Sequence, residues 1–141
     1  MAYDPQNIFG KILRGEIPSQ KVFEDETAIA IMDVMPQSKG HVLVIPKAPT
    51  RNLLDAENST LSALMPIVAR LARAVKKAFA ADGVVVTQFN EAPAGQTVFH
   101  LHVHVIHRYA GIALVPHSGS MADNVVLAEQ ADLIKAALAA T

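Results

Sequence analysis

The spacing of apolar residues divides this chain into short strands and two longer helical stretches. In "QNIFGKILRGEIPSQ", Ile8, Phe9, Ile12 and Leu13 recur at helical spacing until Gly15 and Pro18 interrupt them, which predicts a short lead-in helix. "KVFEDET" and "AIAIMD" read as two strands about an acidic turn at Glu24 to Glu26, and "HVLVIP", starting at His41, reads as a third that Pro46 ends. The intervening "VMPQSKG" is a loop by composition. After a cap at Asn58 or Ser59, Leu61, Leu64, Met65, Val68, Leu71, Ala72, Val75 and Phe79 follow the i, i+3, i+4, i+7 pattern of an amphipathic helix from about Ser59 to Ala80. Pro66 removes a backbone donor and crowds the preceding turn, so a kink or a later start is expected there. "ADG" closes the helix. "VVVTQFN" and "TVFHLHVHVIHR" give two more strands, separated by the small-residue loop "EAPAG". A last helix is expected in "NVVLAEQADLIKAALAA", whose Leu127, Ala131, Ile134 and Leu138 share a face able to dock on the body or on a partner chain.

Five strands linked early by short polar loops, with no regular strand–helix alternation, point to an α+β fold. The expected architecture is a five-stranded antiparallel sheet with one long helix, a short N-terminal helix and a C-terminal helical extension. At 141 residues, 51% of them hydrophobic, the chain is sized for a single domain, 1–141, with a real core. Twelve Lys and Arg against thirteen Asp and Glu give a net charge of -1 with no block of one sign, which excludes a dedicated nucleic-acid binder. The absence of cysteine excludes a disulfide framework and thiolate zinc sites. "MAYDPQNIFG" is too polar and acidic for a secretory leader, and no apolar run reaches membrane-spanning length. The expectation is a cytoplasmic protein with neither nucleic acid nor membrane as partner.

Chemistry concentrates in "FHLHVHVIHR". Strand alternation puts His100, His102 and His104 on one face and Leu101, Val103 and Val105 on the other, so the apolar face can dock on the core and leave three imidazoles on the open one. A row of imidazoles buried as filler would leave several ring nitrogens in need of partners, each unpaired one at a cost in free energy. For a metal, residues i and i+2 lie about 6.6 Å apart and can converge on one ion, whereas the outer pair is about 13 Å apart and cannot without severe bending. A metal reading therefore needs two of the three with a further ligand such as His41. A relay uses all three: a middle imidazole attacks a phosphoryl group while its far nitrogen holds a partner that fixes the tautomer, and a flanking imidazole protonates the departing group. Upstream, "NEAPAGQTV" supplies Asn90, Gln96, Thr97 and the backbone around Gly95 as neutral donors for phosphate oxygens, although by composition alone it is also an ordinary hairpin loop. The chain has no Walker-type phosphate loop, dinucleotide fingerprint, H-E-x-x-H or Asp-x-Asp cluster.

"HLHVHVI" matches the H-φ-H-φ-H-φ-φ pattern of the histidine-triad (HIT) superfamily. Together with "IFGKILRGEIPSQKVFEDETAIAIMDVMPQSKGHVLVIPK" and "NEAPAGQTVFHLHVHVIHR", the chain resembles the bacterial Hint-type branch from about Asn7 to Arg108. The resemblance implies a HIT core over 1–110 with an extension over 111–141. It implies a nucleotide hydrolase or transferase that cleaves at an α-phosphate through a nucleotidyl-histidine intermediate, with no catalytic metal or other cofactor. His102 would be the nucleophile, with His100 orienting it through its backbone carbonyl. His104 would contact phosphate and leaving group, and His41 would be a fourth histidine coupled to the triad. Asn90, Gln96 and Thr97 would contact phosphate, Thr97 standing where the family often has serine. Asp33 would accept the ribose hydroxyls, and Ile8, Phe9, Ile17, Ile31 and Val34 would sandwich a purine base, although all five also read as core.

The family's small members pair as two-fold dimers, so the resemblance implies a homodimer with a purine nucleotide as substrate. Asn7 and Gly10 stand where zinc-binding members carry cysteines, so no structural zinc is expected. The tail departs from the family: "VIHRY" follows the triad, tryptophan is absent and a helical extension follows. His107 and Arg108 read as solvated residues. A nucleoside phosphoramidase leads, with a dinucleoside polyphosphate hydrolase, a nucleotide-binding dimer of little activity and a metal enzyme as alternatives.

Overall fold

Five segments pair into one antiparallel sheet: β1 (Lys21–Glu24), β2 (Ala28–Met32), β3 (Val42–Pro46), β4 (Gly83–Thr87) and β5 (Val103–Arg108), in the order β1-β2-β3-β5-β4. The computed structural model describes residues 3–38, 40–114 and 121–140. Part of the Gly-, Ser- and Pro-containing segment after the triad, 115–120, lies outside them.

β2 and β3 are buried along their whole length because both sheet faces are covered. On one face Ala28, Ala30, Met32, Val42, Val44, Val103 and Val105 pack against Leu64, Val68, Leu71 and Val75 of α2 (Asn58–Ala78). Leu127, Ala131, Ile134 and Leu138 of α3 (Asn124–Ala139) join the same cluster, so the extension docks on the body of its own chain. On the other face Ile29, Ile31, Leu43 and Ile45 pack with Phe9, Ile12 and Leu13 of α1 (Ile8–Leu13). Each such apolar side chain, once buried, contributes on the order of 1.5–3 kcal/mol before chain entropy is counted.

α2 runs unbroken through Pro66, so the later start is not observed, and its N-cap is Glu57 rather than Asn58 or Ser59. The buried stripe beside the proline, Leu64, Ile67 and Val68, supplies the packing that outweighs the missing backbone donor. Lys76 and Lys77 in its last turn complement the helix dipole. α3 and the residues leading into it also grip the β2–β3 loop: the Ala122 amide donates to the Val34 carbonyl (2.8 Å), and the Gly40 amide donates to Gln130 Oε1 (3.1 Å).

Two expectations about the histidine segment are corrected. β5 begins at Val103, so only His104 of the triad is a strand residue, and the three rings are buried rather than displayed on an open face. The ladder stops there because the Leu101 amide donates to the Thr50 carbonyl and the His100 carbonyl accepts from the ring of His102. His107 is also not solvated. It is 1% exposed, stacked on Phe79 at 5.0 Å between ring centroids, with Nδ1 3.3 Å from Ser38 Oγ. Its odd position in β5 sends it to the α2 side, away from the triad. Arg108 is partly buried and donates to the Ile112 carbonyl.

Candidate active site

Side-chain alternation on adjacent strands assembles the centre of the site. Asp33 follows Ile31 by two residues and His41 precedes Leu43 by two, so both continue the α1 face of β2 and β3, and the Asp33 amide donates to the His41 carbonyl (2.8 Å), extending the ladder. Leu43 pairs with His104, which brings β5 alongside. The outcome is a buried row: His41 Nε2 lies 3.4 Å from Asp33 Oδ2 and 2.9 Å from His104 Nδ1. The ring of His104 lies 5.1 Å from that of His102.

Hydrogen bonding assigns each ring a tautomer. The Gln37 amide donates to His41 Nδ1 (3.1 Å), so His41 carries its proton on Nε2 and gives it to His104 Nδ1. His104 then carries its own proton on Nε2. His102 Nδ1 lies 2.7 Å from the His100 carbonyl, which can only accept, so the lone pair of the neutral His102 ring is on Nε2. His100 Nε2 donates to the Pro46 carbonyl (2.7 Å), and complete burial holds its pKa below the usual imidazole value, keeping it neutral. Neighbouring rings therefore present complementary nitrogens: a lone pair on His102 Nε2 and an N–H on His104 Nε2.

Asp33, His41 and His104 also bring ligand atoms within 4.8 Å of one another, a cluster with one triad histidine rather than the two that the metal reading requires. In this arrangement His41 Nε2 and His104 Nδ1 share a hydrogen bond, and Asp33 Oδ2 lies 3.4 Å from the same His41 nitrogen. Asp33 is 5% exposed, its Oδ1 accepts from the Met35 amide (2.9 Å) and its Oδ2 faces His41.

The loop before the triad is held by a network that the sequence did not announce. Glu91 adopts φ 74°, an uncommon conformation for a side chain, and is fixed there by Arg51, which donates from Nε (2.7 Å) and Nη2 (2.9 Å), and by Asn52 Nδ2 (2.6 Å). The Arg51 hydrogen bond is the main reason that the Glu91 carboxyl lies at about 2, with Asn52 helping and desolvation opposing. Gln96 spends its whole side chain on this loop: Oε1 accepts from Glu91 N and Asn52 Nδ2, and Nε2 donates to the Arg51 and Val98 carbonyls. It organises the loop and retains no side-chain donor for a phosphate. Asn90 Oδ1 accepts from the Leu53 amide and Gln88 Nε2, while its Nδ2 donates to Gln88 Oε1. Thr97 is exposed and lines a cleft of roughly 320 Å³ with Asp4, Asn7, Ile8, Arg51, Val98 and Phe99. Asn52 was legible in principle, since "NLLD" is a capping box and the structure forms it at a turn over Leu53–Asp55.

The five apolar candidates divide. Phe9 and Ile31 are buried on the site face, Phe9 meeting the His102 ring edge-on at 4.8 Å. Ile8 and Val34 are exposed and Ile17 is half-buried.

The HIT domain family model matches residues 14–111. A Hit-like protein from Bartonella henselae, described as involved in cell-cycle regulation and crystallised with an unknown ligand, is 53% identical, with a TM-score of 0.91 over 96% of this chain and 99% of that one. A hypothetical histidine triad nucleotide-binding protein from Sulfolobus tokodaii is 32% identical, with a TM-score of 0.85 over 92% and 90% of the two chains. The adenylylsulfatase HINT3 of Arabidopsis thaliana is 39% identical over 101 residues, 72% of this chain and 51% of that protein.

Proposed function

The chain belongs to the HIT domain family, and from that premise we propose that it is a cytoplasmic nucleotide hydrolase or transferase that cleaves purine nucleoside phosphoramidates at the α-phosphate through a covalent bond to His102. The observation that carries this reading is the pairing of tautomers: the His100 carbonyl, 2.7 Å from His102 Nδ1, leaves the lone pair on Nε2, while His41 leaves the proton of His104 on Nε2. In the first step His102 Nε2 forms a bond to the α-phosphorus, the P–N bond breaks, and the amine departs with the proton from His104. In the second step water attacks the phosphorus, His104 takes its proton, and the P–N bond to His102 breaks, returning the site to its starting state. Asp33, whose Oδ2 lies 3.4 Å from the same His41 Nε2, is the negative charge beside this proton traffic. Phe9 and Ile31 form the floor, and Ile8, Ile17 and Val34 the rim, of the apolar cleft for the base. Such a surface distinguishes purines from pyrimidines by stacking area.

A neutral amine as leaving group is favoured over a second nucleotide because Arg51, the cation beside Thr97, is already engaged by Glu91, and His107 faces the opposite side of the sheet. No helix among the described residues is long and apolar enough to cross a membrane. The same reading includes a two-fold dimer through β4. That strand ends the sheet and exposes Val86, beside Met65 of α2 and an apolar cleft of roughly 200 Å³. A mass in solution of twice 15.1 kDa is expected, and a monomer at micromolar concentration would remove the dimer from the account.

The substrate class is tested by comparing kcat/KM for adenosine 5'-phosphoramidate, a diadenosine polyphosphate and adenylyl sulfate, the last because of the name borne by the Arabidopsis relative. The phosphoramidate is expected to lead by at least about tenfold. Preference for the diadenosine compound would keep His102 and replace the leaving group.

A further inference from the structure

The N-terminal segment reaches the triad before the matched family region begins. Tyr3 Oη lies 2.6 Å from His100 Nδ1, with the two rings edge-to-face at 5.5 Å. Asn7 Nδ2 donates to that same hydroxyl (2.9 Å) and to the Asp4 carbonyl (2.7 Å), while Asn7 Oδ1 accepts from Gly10 N (2.8 Å) as the N-cap of α1. The directions are forced. The Pro46 carbonyl can only accept, so His100 Nε2 carries the proton; the neutral, fully buried ring then offers Nδ1 as an acceptor. Tyr3 must donate to it, and the Tyr3 oxygen is left to accept from Asn7. One chain of hydrogen bonds thus runs from the Asn7 amide through the Tyr3 hydroxyl and both nitrogens of His100 to the Pro46 carbonyl.

We infer that Tyr3 is a positioning residue: its hydroxyl, aimed by Asn7, locks the His100 ring and so holds in place the His100 carbonyl that orients His102. Without that donor, His100 Nδ1 is a buried acceptor left unmet, and it is relieved only by turning the ring or shifting the residue. A shift moves the carbonyl 2.7 Å from His102 Nδ1. The segment acts on His102 at a second point, since Phe9, two residues beyond Asn7, packs edge-on against its ring. Tyr3 and Asn7 therefore tie the cap of α1 to His100, two residues before the nucleophile, and Phe9 of α1 packs on the nucleophile itself.

The catalytic part of this inference rests on the function proposed above; the structural part does not, and the test separates them. In substrate-free protein labelled with 15N, the His100 ring is expected to show the pattern of an Nε2–H tautomer with Nδ1 unprotonated, and Tyr3→Phe, which keeps the ring contact and removes only the hydroxyl, should move the Nδ1 resonance. Asn7→Asp retains the cap oxygen but converts the donor into an acceptor that draws the Tyr3 proton away, so it should move the same resonance. With adenosine 5'-phosphoramidate, Tyr3→Phe should lower kcat about five- to tenfold and leave KM within about twofold, because orientation is lost rather than binding. An unmoved His100 Nδ1 resonance in Tyr3→Phe overturns the clasp. A moved resonance with unchanged kcat overturns its positioning role. A wild-type protein that turns over no phosphoramidate overturns the proposed function, while the resonance still decides the clasp.

Discussion

His102→Ala should abolish turnover of a nucleoside phosphoramidate, lowering kcat by at least about four orders of magnitude. The expectation follows from what the ring supplies. Its lone pair on Nε2 is directed by one hydrogen bond on Nδ1, and no neighbouring side chain offers the same nitrogen in the same state: His104 presents a proton, and His100 has both nitrogens committed to Tyr3 and Pro46. The fold should survive, since the His102 ring contacts Phe9 and His104 at the rim of the smaller apolar cluster rather than filling the main core. Circular dichroism and steady-state kinetics on the same preparation check both halves. Residual turnover within tenfold of wild type would move the nucleophile elsewhere.

The largest expected loss of stability lies at a residue with no chemistry. Gly40 has φ 68°, and a Cβ there would sit 2.1 Å from Phe79 Cε2 and 2.5 Å from its Cζ. Phe79 cannot yield freely, because its ring is stacked on His107 and packed against the main apolar cluster, and its carbonyl accepts from the Tyr109 hydroxyl. Gly40→Ala therefore combines left-handed strain with overpacking and should cost about 2–4 kcal/mol, lowering Tm by roughly 6–15 °C. Because Gly40 immediately precedes His41, activity should fall as well. Adding Phe79→Leu should recover part of the Tm, and a Gly40→Ala protein melting within about 2 °C of wild type would contradict the packing described.

Much of this architecture was legible from residue patterns. Short apolar runs bounded by turn residues located β2 and β3, and the apolar stripe from Leu61 to Val75 located α2 in spite of Pro66, because both signals arise from burial, which also governs the fold. The site was legible in part: the histidine row and His41 at the head of another strand stood out by type and spacing, Asp33 came only through the family resemblance, and the adjacency of their strands is what brings His41, Asp33 and His104 to one face. It was not legible where long-range hydrogen bonds intervene. The early end of β5 depends on the Thr50 carbonyl and on a side chain bonding its own neighbour's backbone, neither of which alternation encodes. His107 looked solvated because a histidine in a strand carries no mark of the stacked Phe79 that covers it, twenty-eight positions earlier. Gln96 read as a phosphate donor because its chemistry permits it, yet the strained backbone at Glu91 needs that amide more. Tyr3 escaped notice altogether, since one aromatic residue near an end has no pattern to belong to.

The central claim is that catalysis passes through a nucleotide bonded to His102. The direct measurement is to mix the protein with adenosine 5'-phosphoramidate, quench within the first turnover using base, which spares an acid-labile phosphorus–nitrogen bond, and locate added mass by peptide sequencing in a mass spectrometer. An adenylate on His102, present in wild type and absent from His102→Ala, is the predicted result. Full turnover with no adduct, or an adduct carried by any other residue, would contradict it.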